Sequence, residues 1–285
     1  MKYFISLITL LFLFTSFSQN ASTPNNDNLK ILSWNIYMLP NSTNLSTKIK
    51  RSKKKERASQ ISDILNNSDY DIIVFQEAFH IVSRKILEKK LQEQFPYQYG
   101  PVNAAFIKTN SGIFIVSKVE LKELGSIQYK GCTGIDCFSK KGVGLFEGNF
   151  KGKTFQIAGT HLDSGSQSVR EKQYTQAYEK ILKPFEKEGV PQIFCGDFNT
   201  RKSQPERYDL MLKSYDAEDI VTNSERKNTT VKDNAVIDFI LLRKNDSKIK
   251  VIDKQVKIFK SRGEMIDKLS GNLSDHLAIE ITIKL

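Results

Sequence analysis

Six short polar clusters interrupt the apolar runs of this chain, each at or beside the end of such a run. In order they are Ser33-Trp34-Asn35, Gln76-Glu77, Gly159-Thr160-His161-Leu162, Gly196-Asp197-Phe198-Asn199, Ile237-Asp238-Phe239 and Ser274-Asp275-His276. Histidine is the one side chain whose ordinary pKa lies near neutrality, so His161 and His276 are candidates for proton transfer. Glu77 at a strand end is a hard oxygen ligand of the kind Mg²⁺ takes. Taken singly, each cluster has a plainer reading. A lone histidine on an apolar strand is usually a paired core residue. Asp197-Phe198-Asn199 fits an ordinary turn, Glu77 a helix-start acid and Asp238 a strand-end cap. Trp34 reads as a core aromatic, and His80, outside the clusters, as a surface or helix-start residue.

Short apolar runs alternating with longer amphipathic segments must position these residues. The pattern predicts strands at 30–37, 71–75, 112–116, 143–149, 154–160, 192–195, 236–242, 248–259 and 277–283, and helices at 56–65, 81–95, 168–183 and 204–212. In the second helix Ile81, Val82, Ile86, Leu87 and Leu91 recur at helical spacing, a core-facing stripe. Many strands with a few intervening helices make a mixed α/β layer fold. Large α/β layers reach 285 residues as one unit, and no linker or repeat divides the chain. One domain over 29–285 is expected, behind a polar, disordered tail at 19–28.

Residues 1–18 differ in kind. Lys2 precedes an apolar stretch at 3–14 that is short for a bilayer span, and Ser16-Phe17-Ser18 offers small residues for cleavage. A secretory signal peptide and an extracellular protein are therefore expected. Cys132 and Cys137 flank a short Gly-containing stretch suited to a local disulfide, whereas Cys195 in an apolar run reads as a buried thiol. No Cys/His spacing suggests structural zinc. The net charge of +11 suits a polyanion or an anionic membrane surface, and part of it lies at Lys48, Lys50, Arg51, Lys53, Lys54, Lys55 and Arg57. That stretch reads equally as a solvated helix start.

Together and in this order, the six clusters resemble the endonuclease/exonuclease/phosphatase superfamily, from Trp34-Asn35 to Asp275-His276. Within it the chain is most similar to bacterial sphingomyelinase C. Asn35-Ile36-Tyr37-Met38-Leu39, Gly112 to Lys118, Lys130-Gly131-Cys132, Ser139-Lys140-Lys141-Gly142, and Gly159-Thr160-His161-Leu162 with Val169-Arg170 and Gln173 carry that likeness. The resemblance implies a deoxyribonuclease-like four-layer sandwich, two mixed β-sheets face to face with helices outside. It also implies Mg²⁺, with Mn²⁺ or Co²⁺ as alternatives, and cleavage of sphingomyelin to phosphocholine and ceramide. A phosphodiester needs a cation to draw charge from its oxygens, a base for the attacking water and help for the leaving oxygen. By resemblance, His276 is the base and Asp238 orients its ring. His161 stabilises the phosphoryl oxygens, while Asp197 and Asn199 orient water and phosphate. Glu77 and Asp275 serve the metal, and Asn35 holds a phosphate oxygen or metal-bound water.

Two places depart from that pattern. Segment 257–269 has no Trp or Tyr where haemolytic relatives carry an aromatic-tipped hairpin, although its basic residues suit anionic lipid heads. Asp163 stands where a Gln is expected after His161-Leu162. The expected partner is a phospholipid surface met by a monomer with no obligate protein partner. A nuclease of the same fold, favoured by the charge, is the alternative substrate reading. An idle adhesin is a third, opposed by the retained histidines and acids.

Overall fold

The computed structural model describes residues 27–40, 53–102, 110–220, 228–245, 248–263 and 269–285. The expected signal sequence, most of the tail, the 48–52 part of the basic stretch and residues 264–268 lie outside the described residues. In chain order the elements are β1 (Asn28–Asn35), α1 (Lys54–Asn66), β2 (Ile72–Gln76), α2 (Ile81–Leu91), β3 (Tyr97–Tyr99), β4 (Phe114–Ser117), β5 (Leu121–Gln128) and β6 (Gly142–Phe150). They continue with β7 (Lys153–His161), α3 (Gln167–Ala177), β8 (Gln192–Asp197), α4 (Pro205–Tyr215), β9 (Ala217–Asp219), β10 (Asp238–Arg243), β11 (Lys250–Lys257) and β12 (Ala278–Lys284).

Period-two alternation explains the layers. Successive strand side chains point to opposite faces, so a strand buried on both faces supplies two separate cores. In β1, Leu29 and Ile31 join one apolar cluster while Leu32 and Trp34 join another. Ile72 and Val74 divide from Ile73 and Phe75 in the same way, and Ile193 and Cys195 from Phe194. The first cluster fills the space between two six-stranded sheets, ordered β11-β12-β1-β2-β4-β3 and β5-β6-β7-β8-β10-β9. The second packs one sheet under α1 and α2 through Ala58, Ile61, Leu65, Leu87 and Leu91. The third packs the other sheet under α3 and α4 through Tyr174, Ala177, Met211 and Tyr215. Three apolar interfaces make four layers, helix–sheet–sheet–helix, as expected. Both sheets are mixed: β1/β2 and β7/β8 are parallel, and the other named pairs are antiparallel.

Several expectations need correction. β3, β5 and β9 were not anticipated, and all three are sheet edges. An edge strand is less enclosed, so it lacks the apolar run that marks a central one: β5 reads LKELGSIQ, half-exposed along most of its length. The third predicted helix leaves α geometry after Ala177 and closes in a single π turn, Tyr178–Leu182. Ile81 and Val82 do not face the core; both are exposed, and Leu87 and Leu91 do the packing. The basic stretch is not simply solvated. Lys54 Nζ donates to the Leu39 carbonyl at 2.6 Å. Arg57, fully buried, donates to the carbonyls of Ile36, Tyr37 and Leu273 at 2.6–2.8 Å.

Candidate active site

A helical crossover returns the chain parallel to its first strand, so the carboxyl ends of both strands lie at one rim. α1 links β1 to β2 and α3 links β7 to β8, which gives each sheet one such pair. Asn35 ends β1 beside Gln76, with Glu77 next, and His161 ends β7 beside Asp197. β10 runs antiparallel to β8, which sets its first residue, Asp238, opposite Asp197. β12 runs antiparallel to β1, so His276, just before it, reaches the same rim. Asn35, Asp197 and Asp238 share the strand parity of the inter-sheet core residues Ile31, Cys195 and Ile240. The inter-sheet layer thus turns from apolar to polar at this rim. Asn35 Nδ2 donates to Asp197 Oδ2 at 3.0 Å, a side-chain bridge between the sheets.

His276 Nδ1 lies 2.9 and 3.1 Å from the two carboxyl oxygens of Asp238. Its Nε2 faces Asp197 Oδ2 at 3.8 Å, and His161 Nε2 approaches the same oxygen at 3.5 Å. Asn35 Nδ2 also donates to Glu77 Oε1 at 3.2 Å, while Asn35 Oδ1 accepts from the Tyr37 N–H at 3.1 Å. Asn199, at φ 49°, donates its N–H to Asp197 Oδ1 and its amide to the Leu162 carbonyl. Asn199 is thus a turn residue whose backbone N–H is bonded to the Asp197 carboxylate. Glu77 is no helix cap: α2 begins at Ile81 and His80 is its cap, accepting from the Ser83 N–H. Glu77 instead holds φ 57°, a left-handed conformation rare outside glycine.

Charge at the rim is divided unevenly. Burial and the neighbouring Asp275 push the Glu77 carboxyl up to about 7. Burial pushes Asp238 up to about 6, against the pull of His276. Burial acts likewise on Asp197, but His276, with Lys141, outweighs it and holds that carboxyl below its usual range. The ring of His276 is also penalised by burial, yet Asp238 and Asp197 raise its pKa well above the ordinary value. Burial and Lys141 drive His161 well below, so it is neutral at pH 7.

Two buried atoms here lack a hydrogen-bond partner, Glu77 Oε2 and His161 Nδ1. An enclosed, unpaired carboxyl oxygen beside a second acid suits a hard divalent cation. Asp197, Asp238 and His276 also present ligand atoms within 4.8 Å of one another. Because His276 Nδ1 and Asp238 satisfy each other, that trio is better matched to proton handling.

All eight residues singled out in the sequence thus come to one rim, although the Asn199 amide turns to Leu162 and away from the acids. Sequence reasoning gave no supporting role to the residues that hold them. Ser274 Oγ donates to the Asn35 carbonyl at 2.7 Å and accepts the His276 N–H. Trp34 is a core aromatic, as expected, and its Nε1 also donates to the His276 carbonyl. Thr229 Oγ1 accepts the Asp238 N–H, and Lys141 Nζ donates to the Leu162 carbonyl. The Ser274–Asn35 and Trp34–His276 contacts join segments 239 and 242 residues apart, so no local pattern marks them. Asp163 is fully buried and accepts from Thr133, Gly165 and Ser166, which places it in the scaffold next to His161. Cys132 and Cys137 form a disulfide and Cys195 is a buried free thiol.

Two mixed sheets packed between helices, with acids and histidines at the ends of their parallel strands, define the deoxyribonuclease-like α/β class. The chain belongs to the endonuclease/exonuclease/phosphatase family, whose profile matches residues 32–276. It is similar to sphingomyelinase C 2 of Leptospira interrogans, 30% identical over 212 aligned residues, with 66% of this chain and 33% of that protein covered. It is also similar to the phospholipase C of Staphylococcus aureus, 29% identical over 229 residues, 73% of this chain and 68% of that one. The aligned part is thus about a third of the Leptospira protein's length. Among solved structures, Staphylococcus aureus beta toxin superposes with a TM-score of 0.76 at 21% identity, covering 89% of this chain and 99% of that one. A beta toxin mutant with bound magnesium ions gives 0.73 at 22% identity, with the same coverage. These likenesses bear out the expected fold.

Proposed function

We propose that this chain is a secreted, Mg²⁺-dependent phosphodiesterase that cleaves sphingomyelin to phosphocholine and ceramide. The observation that carries the reading is the His276–Asp238 pair, with the second ring nitrogen aimed at the Asp197–His161 side of the rim. With Asp238 on Nδ1, Nε2 is the atom left to take a proton from an attacking water. Neutral His161 and the Asn35 amide flank the space a phosphoryl group would occupy, and Asp197 orients both. Asn199, through its N–H on Asp197, fixes that carboxylate. Glu77, with Asp275 and Asn35 beside it, would hold the cation. A bound divalent ion supplies charge neutralisation on the phosphoryl oxygens and offsets the carboxylates that otherwise keep His276 protonated.

Support for sphingomyelin comes from the name of the Leptospira relative and from the resemblance of segment 130–142 to bacterial sphingomyelinase C. A relative carrying magnesium supports that ion. The signal-like leader and the Cys132–Cys137 disulfide support secretion, since disulfides persist in oxidising compartments. The deciding assay offers sphingomyelin vesicles and plasmid DNA side by side with Mg²⁺. Phosphocholine release without nicking is expected. Nicking alone would assign a nuclease, and no turnover of either would leave a binding module.

A further inference from the structure

Four of the exposed large apolar side chains lie on segments bonded to or following the residues next to this rim. Ile135 and Phe138 are 40% and 73% exposed, and Ile81 and Val82 are 58% and 45% exposed. The first two ride on a 3-10 turn, Gly134–Phe138, within and beside the ring closed by Cys132 and Cys137. That ring is anchored to the segment leaving His161. Thr133 bonds Asp163 twice, at 2.5 and 2.7 Å. Asp136 accepts the Ser164 N–H at 2.6 Å and pairs with buried Lys141 at 2.9 Å. The second two open α2, four and five residues after Glu77. A continuous backbone path joins the two places: the Lys140 N–H donates to the Asn110 carbonyl, Asn110 Oδ1 accepts the Gly112 N–H, and the Gly112 carbonyl accepts the Ala78 N–H. Lys130 and Lys140 flank the ring with positive charge.

Resting on the phospholipase reading above, we infer that the disulfide ring, through Ile135 and Phe138, and the start of α2, through Ile81 and Val82, dock the rim onto a phosphocholine bilayer. A two-chain lipid stays in its bilayer because each buried CH₂ opposes extraction, so the mouth of the site must descend to headgroup depth. Whatever surrounds the mouth then meets neighbouring lipids. Apolar side chains there match the headgroup–acyl boundary, and the two lysines match lipid phosphates. Rigid anchoring of the ring lowers the ordering entropy lost on insertion. This gives the chain an interfacial contact that does not depend on the 257–269 segment, which has no Trp or Tyr.

The test measures binding to sphingomyelin/phosphatidylcholine vesicles in a His276→Ala background, where lipid is not consumed, beside turnover of a water-soluble aryl ester of phosphocholine by otherwise wild-type enzyme. Ile135→Ser/Phe138→Ser should weaken vesicle binding at least about tenfold and leave turnover of the soluble ester unchanged. Ile81→Ser/Val82→Ser should act in the same direction. Unchanged vesicle affinity in both double variants overturns the docking surface even if the enzyme is active. Failure of the unsubstituted enzyme to turn over the soluble ester or sphingomyelin instead overturns the phospholipase reading. A protein that ignores vesicles but dimerises through Phe138 assigns the surface to a second copy and also overturns the inference.

Discussion

At Glu77 the backbone is held in a left-handed conformation, and burial and the neighbouring Asp275 oppose an ionised carboxylate. Such opposition persists where it serves a function. A carboxyl raised from about 4.5 in the unfolded chain to about 7 binds more protons when folded, so stability falls as pH rises through that window and stays reduced above it. Glu77→Gln should therefore stabilise the metal-free protein at pH 8, by about 1–3 kcal/mol, and much less at pH 4, while removing Mg²⁺-dependent turnover. Urea melts at the two pH values check this; equal effects at both would show that charge is not the cause. His276→Ala should lower kcat by roughly 10²–10⁴-fold with the fold intact by circular dichroism. Because Nε2 must be unprotonated and Glu77 ionised, turnover at limiting Mg²⁺ should fall as pH drops through about 7. More Mg²⁺ should shift that acid limb downward, since cation and proton compete for the same oxygen.

Elements deliver these residues through contacts that leave little slack. β7 lies against the opposite sheet at Gly159, two residues before His161. A Cβ there would come within 2.9 Å of Val74 and 3.0 Å of Ile113. Gly159→Ala should cost about 1–3 kcal/mol and lower kcat, because the sheets must separate directly beneath the site. A variant with wild-type stability and kcat would mean that the sheets can part without disturbing the rim. Arg57 works at the same scale. Its three carbonyl acceptors tie the exit of β1 to the segment leading into Ser274-Asp275-His276, which explains how a residue from a basic stretch becomes part of the site's frame.

For the whole molecule, net charge is a weak guide to substrate. Lys54, Arg57, Arg84, Lys141, Arg170, Arg243 and Lys254 are all buried, so these cations cannot meet a polyanion. Metal linkage is the more useful global test. A ligand that binds only the folded state at 100 times its Kd adds about 2.7 kcal/mol of stability. Mg²⁺ should accordingly raise the Tm of the unsubstituted protein and not that of Glu77→Gln. EDTA should reverse the shift and abolish turnover until Mg²⁺ is returned. A Tm indifferent to Mg²⁺ and EDTA would remove Glu77 as the cation's holder.

Much of this protein was legible in its residues because local physics repeats along the chain. Continuous apolar runs announce strands buried on both faces, and polar residues at their ends announce a rim; the order of those clusters carries the family resemblance, and the four-layer class follows from that resemblance. What only the tertiary structure decided are contacts between segments remote in sequence. Asn35 meets Asp197, Arg57 meets Leu273 and Trp34 meets His276, across 162, 216 and 242 residues. The exposure of Ile81 and Val82, the three unforeseen edge strands and the unpaired oxygen of Glu77 belong to the same group. Side-chain pattern encodes how deeply a face is buried; which face closes over it depends on packing that no single segment contains.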